Sequence, residues 1–250
     1  MTLHGKVAIV TGSSRGIGRA VALAFAEQGA NVLVNSRTDV AGGKAVVDEI
    51  TGRGGTAGYC QADVAEPDEV DRMFVEAEAS LGPVDILVNN AGRPVGASLA
   101  ENTKELWLDQ LNANLLSTVV CSIRAAKAME RRGGCVINTS SIRGLDANGR
   151  AAVLAYSAAK AAVNNFTRTL AKELAPAIRV NAVMPGFVAT SFMTGARDEA
   201  KQSWLGHIPL RVFIEPEQIA GSYVYLAESS YLTGTILTAD AGLTLSQEQI

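Results

Sequence analysis

Runs of four to six aliphatic or β-branched residues recur along this chain with helical stretches between them, and few folds accommodate that alternation. A strand that returns to the same sheet through a helix lies parallel to the strand before it. When helices cover both faces of such a sheet, its strands read as continuous apolar runs rather than alternating ones. On this pattern the predicted strands are residues 7–10, 31–35, 56–61, 84–88, 135–139, 179–183 and 235–238. After the first, Ile17, Ala20, Val21, Ala24 and Phe25 share one helical face in a segment that Gly29 closes. Residues 67–81, 103–131 and 154–174 read as further helices, each opening near a proline or polar start signal. The expected fold class is therefore α/β, a doubly wound parallel seven-stranded sheet of Rossmann-like form, in a single domain over residues 1–250.

Composition narrows what such a domain can do. The chain of 250 residues is 48% hydrophobic and 19% charged, enough apolar material for one large core. Its 22 Lys and Arg against 25 Asp and Glu give a net charge of −3 with no basic run, which argues against a nucleic-acid partner. No segment approaches the length of a membrane span, and residues 7–10 are too short for a signal-peptide core, so no membrane partner is expected. Cys60, Cys121 and Cys135 lie far apart without metal-ligand spacing. They read as small buried hydrophobes in a reducing compartment, and the expected localisation is cytoplasmic. His4 and His207 stand alone, and no metal site is expected.

Sheets of this kind bind ligands beyond the carboxyl ends of their strands, so the residues just after each strand are the candidates for chemistry. The first strand ends in Thr11-Gly12-Ser13-Ser14-Arg15-Gly16-Ile17-Gly18. Glycines there let a diphosphate approach the backbone, and the following helix offers unpaired N–H groups and the positive end of its dipole. A glycine-rich turn can be purely structural, but its place between a strand and a helix favours a phosphate cradle. Tyr156 and Lys160 lie four apart on one face of the segment 154–174. A free tyrosine ionises near pH 10, and a neighbouring ammonium is expected to lower that value and make a usable acid/base. Taken alone, such a pair is more often a solvated neighbour than a catalyst.

Together with Asn89-Asn90-Ala91-Gly92 after the fourth strand and Ser140-Ser141 after the fifth, these motifs resemble the short-chain dehydrogenase/reductase family, over nearly the whole chain. The resemblance implies an NAD(P)-dependent oxidoreductase that moves a hydride between a nicotinamide and the carbonyl or alcohol carbon of a small substrate. It implies that Ser141 bonds the substrate oxygen, Tyr156 gives or takes its proton, and Lys160 holds Tyr156 and the nicotinamide ribose. Ser140 competes for the first role, but the spacing Ser-Ser-x-x-Gly, ending at Gly144, favours Ser141. Asn114 matches the asparagine that fixes a water behind the lysine; a locally bonded helix residue is the plainer alternative. The cofactor positions implied are Gly12, Ser14, Ile17 and Gly18 at the diphosphate, Asp63 and Val64 near adenine, and Asn89, Ala91 and Gly92 along the ribose. Pro185, Gly186, Val188 and Thr190 would lie at the carboxamide. A homotetramer packed through the long helices is implied as well.

Cofactor choice turns on charge at the adenosine 2′ position. NAD enzymes of this architecture end the second strand in an acid, whereas Ser36 stands there, followed by Arg37, with Arg15 in the glycine-rich turn. Two guanidiniums can bracket a phosphate, so NADP is expected, with NAD as second choice. Asp39, the nearest acid, lies late in the segment.

Substrate is read less directly. Relatives by pattern are 3-oxoacyl-thioester reductases, which receive an acidic carrier protein on basic residues. Arg131 and Arg132 fit one such patch, but Ala175-Pro176-Ala177 stands where a second is expected. A small free ketone, hydroxy compound or polyol is therefore expected, anionic if Arg93, Arg143 and Arg150 at the mouth are more than solvated. The alternatives are an acyl-carrier-protein reductase and a catalytically silent nucleotide-binding regulator. A nucleotide-sugar epimerase resembles longer chains, and enoyl-thioester reductases place their tyrosine where Val153 stands. Three departures from the family pattern remain: Ala241 in place of a usual glycine, a longer stretch 143–154 with Arg143 in a small residue's place, and a shortened loop at Glu228-Ser229-Ser230-Tyr231. Residues 194–208 are expected to lid the pocket.

Overall fold

The computed structural model describes residues 3–146, 148–190 and 198–245. The chain alternates strand and helix from its start: β1 (Val7–Val10), α1 (Gly16–Glu27), β2 (Asn31–Ser36), α2 (Val40–Gly52), β3 (Thr56–Gln61), α3 (Pro67–Ser80) and β4 (Val84–Asn89). The second half follows with α4 (Lys104–Leu111), α5 (Ser117–Met129), β5 (Gly134–Thr139), α6 (Leu154–Leu174), β6 (Ile178–Pro185), α7 (Asp198–His207), α8 (Pro216–Glu228) and β7 (Ile236–Ala239). One seven-stranded sheet runs β3-β2-β1-β4-β5-β6-β7, parallel at every pairing. The order reverses beside β1, which pairs with β2 on one edge and β4 on the other.

Successive strand residues face opposite layers, and all four residues of β1 are buried. Ala8 and Val10 join one core with Val21 and Phe25 of α1, Val46 and Ile50 of α2, and Tyr223 of α8. Val7 and Ile9 join the other with Met73 and Phe74 of α3 and Cys121 and Met129 of α5. Because every pairing is parallel, every strand's carboxyl end lies along one rim between the two layers of helix. The predicted strands all form, with ends extended or shifted by one or two residues.

Four elements differ from expectation, one of them helix α8, which was not expected. The expected helix over 103–131 forms without a break from 104 to 129, but a π-turn at Asn112–Leu116 lies between α4 and α5. Helix α2 was not expected, because Gly42, Gly43 and Gly52 disguise it. Gly43 is required by packing, since a Cβ there would run into the Tyr59 ring of β3. Of the expected lid, residues 194–197 lie outside the described residues, and Asp198–His207 form α7. No helix among the described residues is long and apolar enough to cross a membrane.

Candidate active site

A cavity of about 680 Å³ opens along the carboxyl rim of the sheet, across the point where strand order reverses. Its floor begins at the β1–α1 turn. Gly12 and Gly16 take φ of 60° and 57°, a left-handed region that glycine enters without strain. A Cβ on Gly12 would sit 2.8 Å from the Ala91 Cα, so the turns after β1 and β4 meet at a distance that only glycine allows. Helix α1 begins without a side-chain cap at Arg15, and Gly16 and Ile17 of its first turn line the cavity. Uncapped N–H groups and a positive helix end at a glycine-lined wall fit a diphosphate. Ser14 and Arg15 line the same wall.

At one end Ser36, Arg37, Asp63 and Val64 line the cavity. The Ser36 hydroxyl is buried and already engaged, donating to the Asp39 carbonyl at 2.8 Å and lying 2.9 Å from the Tyr59 hydroxyl. It is therefore less available to a phosphate than the sequence suggests. Asp39 accepts from the Gly42 N–H at 3.1 Å through one carboxylate oxygen as the cap of α2, and it too lines the cavity. Arg37 pairs with Asp63 at 3.4 Å, while Arg15 is exposed and makes no ion pair among the described residues. At the other end stand Pro185, Gly186, Val188 and Thr190, with Thr190 packed against Gly16.

Between these ends Ser141, Tyr156 and Lys160 converge. Ser140 and Ser141 leave β5 together but do different things. Ser140 donates to Asn164 of α6, whereas Ser141 lies close enough to the Tyr156 phenol to favour its ionised form. Gly144 lets this turn reach α6, because a Cβ there would sit 2.6 Å from the Lys160 carbonyl carbon. The Lys160 ammonium is buried and donates to the Thr139 carbonyl at 2.8 Å, at the end of β5. Burial pushes its pKa down to about 8. Burial also raises the Tyr156 phenol, and the opposing pulls come from Ser141 and the Arg143 guanidinium. The Lys160 Nζ lies 5.8 Å from the centre of the Tyr156 ring. The ammonium, expected to act on the phenol, stands over its ring while bonded to the end of the strand.

Three expected residues stand back from the cavity. Gly18 is buried against Asn90 and Gly12, where it permits close packing of α1. The Asn89 side chain points into the interior and donates to Ser122 Oγ at 3.0 Å and Asn138 Oδ1 at 2.9 Å. Asn114 sits in the π-turn, fully buried; its Oδ1 accepts from the Arg93 N–H at 2.9 Å and its Nδ2 donates to the Arg93 carbonyl at 3.0 Å. It thus fixes the segment after Gly92, and also bonds the Gln110 carbonyl within its own helix. Sequence reasoning passed over Asn90, which lines the cavity and donates to the Thr11 and Gly12 carbonyls at 3.0 Å each. Its signal was there, as a polar residue directly after a strand. Arg131 and Arg132 are exposed between α5 and β5, at the amino rim of the sheet and away from this cavity.

A family model described as Enoyl-(Acyl carrier protein) reductase matches residues 12–244. A 3-oxoacyl-[acyl-carrier-protein] reductase of Synechocystis sp. is 40% identical over 248 residues, covering 97% of this chain and 98% of that protein. A short-chain type dehydrogenase/reductase from Mycobacterium marinum is 38% identical with a TM-score of 0.91, covering 97% of this chain and 96% of that one. A protein of Agrobacterium tumefaciens, provisionally named a gluconate dehydrogenase, is 33% identical with a TM-score of 0.92, covering 96% of each chain.

Proposed function

The chain belongs to the short-chain dehydrogenase/reductase family, and from that premise we propose that its cavity reduces a small ketone, or oxidises the matching alcohol, with Ser141, Tyr156 and Lys160 as the working residues. The observation that carries this reading is the convergence of those three side chains on one wall of a cavity whose far wall is the glycine turn. A nicotinamide dinucleotide bound there supplies the hydride. Ser141 and Tyr156 hold the substrate oxygen and stabilise the charge that grows on it. Tyr156 gives that oxygen its proton. Lys160 is held by the Thr139 carbonyl beside the phenol, where it would bond the ribose of a bound cofactor. Asn114 holds the wall behind Gly92 in register.

The cofactor proposed is NADP(H), with NAD as second choice. Strand β2 ends in Ser36 rather than an acid, one oxygen of Asp39 caps its own helix, and Arg15 is free to meet a 2′-phosphate. Arg37 would have to share itself with Asp63. Measured as kcat/KM, NADPH should exceed NADH, and Arg15→Ala should reduce NADPH use by roughly 10-fold or more, the worth of one charge-assisted bond. Ser36→Asp should invert the preference. Equal use of both cofactors by the native enzyme, unmoved by either variant, would overturn this assignment.

The substrate proposed is a free small carbonyl or polyol. The named carrier-protein reductases favour an acyl thioester, but Arg131 and Arg132 lie at the opposite rim from the cavity. Enoyl reduction, the description of the matching family model, is disfavoured because Val153 stands at that branch's tyrosine position. A single domain over residues 1–250, a cytoplasmic location and a homotetramer complete the proposal. Exposed Leu108, Leu116 and Ile123 along α4, the π-turn and α5 support assembly through the long helices.

A further inference from the structure

The three arginines near the cavity mouth are not equivalent. Arg93 forms a two-pronged pair with Asp109, at 2.9 and 3.1 Å, and is neutralised. Neither Arg143 nor Arg150 pairs with a carboxylate among the described residues, yet the two are close enough for each charge to act on the other. Arg143 is the more constrained. Its Nη1 donates to the Asn148 carbonyl at 3.3 Å, and its guanidinium lies 5.6 Å from the centre of the Phe187 ring. Its Nη2 is buried with no hydrogen-bond partner among the described residues. A buried N–H of a charged guanidinium without an acceptor is costly, and a second positive charge beside it adds to the cost. Both side chains line the same cavity as Tyr156, and the Arg143 charge reaches the Tyr156 phenol.

Two features hold the arginine in place, and a third sets a second cation beside it. Ser141 accepts from the Arg143 N–H at 3.2 Å, which ties the arginine's backbone to the residue that meets the substrate oxygen. The Phe187 ring below the guanidinium is itself stacked on Trp204 of α7, with ring centres 5.2 Å apart. Residues 143–154, the stretch longer than the family pattern, bring Arg150 back to the same mouth. A guanidinium that is fixed and partly desolvated, beside a second positive charge, selects for a negative group, and its planar fork matches a carboxylate.

We propose that Arg143, assisted by Arg150, is a subsite for an anionic group on the substrate, and that this enzyme acts on small oxo or hydroxy acids rather than on neutral ketones or acyl thioesters. The inference rests on the reading of the cavity as a carbonyl-reducing site and adds the substrate class to it. The carboxylate completes the Arg143 hydrogen bonds while the carbonyl of the same molecule lies between Ser141 and Tyr156. A phosphate monoester offers the same acceptor chemistry with a larger head.

The test uses matched probes: 2-oxo-, 3-oxo- and 4-oxopentanoate, their carboxamides, the phosphate monoester of 5-hydroxypentan-2-one, and acetoacetyl-N-acetylcysteamine. With NADPH, at least one carboxylate should exceed its carboxamide in kcat/KM by roughly 10- to 100-fold, the range for a charge-assisted bond. Arg143→Gln should collapse that ratio towards one, mainly through KM, and Arg143→Lys should restore part of it. The phosphate ester outperforming every carboxylate would keep the subsite and move its ligand to phosphate. Carboxamides or the thioester turned over as well as the acids, with a ratio that Arg143→Gln leaves unmoved, would overturn the proposal while the oxidoreductase reading stands. Calorimetry of the oxo acids on the enzyme with NADP+ separates the two failures. Arg143-dependent binding without turnover of any probe would keep the subsite and sink the reaction, whereas no preference for acid over amide in binding or turnover would sink the subsite.

Discussion

Lys160 is an amine in an apolar setting, and its stability cost follows from that. Its pKa is depressed to about 8 when folded, against an ordinary value of 10.5, so the unfolded chain holds the proton more tightly between those values. The unfolded state is therefore favoured wherever that proton is bound, and the penalty from Lys160 is full below pH 8 and fades as pH rises through 10.5. A Lys160→Met variant should be more stable than wild type near neutrality. At about 1.4 kcal/mol per pH unit, its advantage should shrink by roughly 3 kcal/mol between pH 8 and 10.5. Denaturant midpoints of the two proteins across that range check this, and a gap independent of pH would show that the ammonium is not desolvated. The cysteines and Tyr223, whose pKa values burial raises, act in the opposite sense in both proteins and cancel in the difference. Ala241 supplies a second test. Its φ of 54° lies in the left-handed region, which costs an L-residue about 1–2 kcal/mol. This gives a physical meaning to the alanine that stands where the family pattern has glycine. Ala241→Gly should raise stability by roughly 0.5–1 kcal/mol after the entropy of the added glycine is subtracted. Lower stability in the variant, read from the same midpoints, would mean that the methyl's packing outweighs the strain.

Elements whose signal is local were legible, and those held by distant partners were not. Helix α6 was read to its bounds because its apolar face repeats over 21 residues, and with it the one-faced pairing of Tyr156 and Lys160. The strands were legible for the same reason, as buried runs between turn residues. The π-turn was not. It is held by Asn114 bonding the Arg93 backbone 21 residues away, and nothing in the sequence of Asn112–Leu116 announces the extra residue per turn. Helix α8 was overlooked although Glu215, Pro216 and Gln218 form a capping box with proline at the first turn, a signal the sequence does carry. At the site, motif spacing located Ser141, Tyr156 and Lys160, but not that Ser140 is bound to Asn164 or that Asn89 faces inward. Those outcomes depend on which face of β4 and β5 meets which helix. The direction of the Tyr156 shift was also illegible, since it depends on how far burial outweighs its neighbours.

Across the whole molecule, one sheet brings the ends of β1, β2, β4, β5 and β6 to a single rim, so that a turn made of glycine and a helix bearing tyrosine and lysine face one cavity. Neither half is an enzyme alone: the first can hold a dinucleotide, the second can move a proton. The account stands on their acting together at Tyr156. Loss of the phenol removes one hydroxyl and little volume, so Tyr156→Phe should bind NADPH nearly as the native protein does. Its hydride transfer to the best carbonyl substrate, followed as nicotinamide absorbance in single turnovers, should fall by roughly 10²- to 10⁴-fold, the usual contribution of a placed general acid. Native rates in Tyr156→Phe, with cofactor bound and the fold intact, would contradict it.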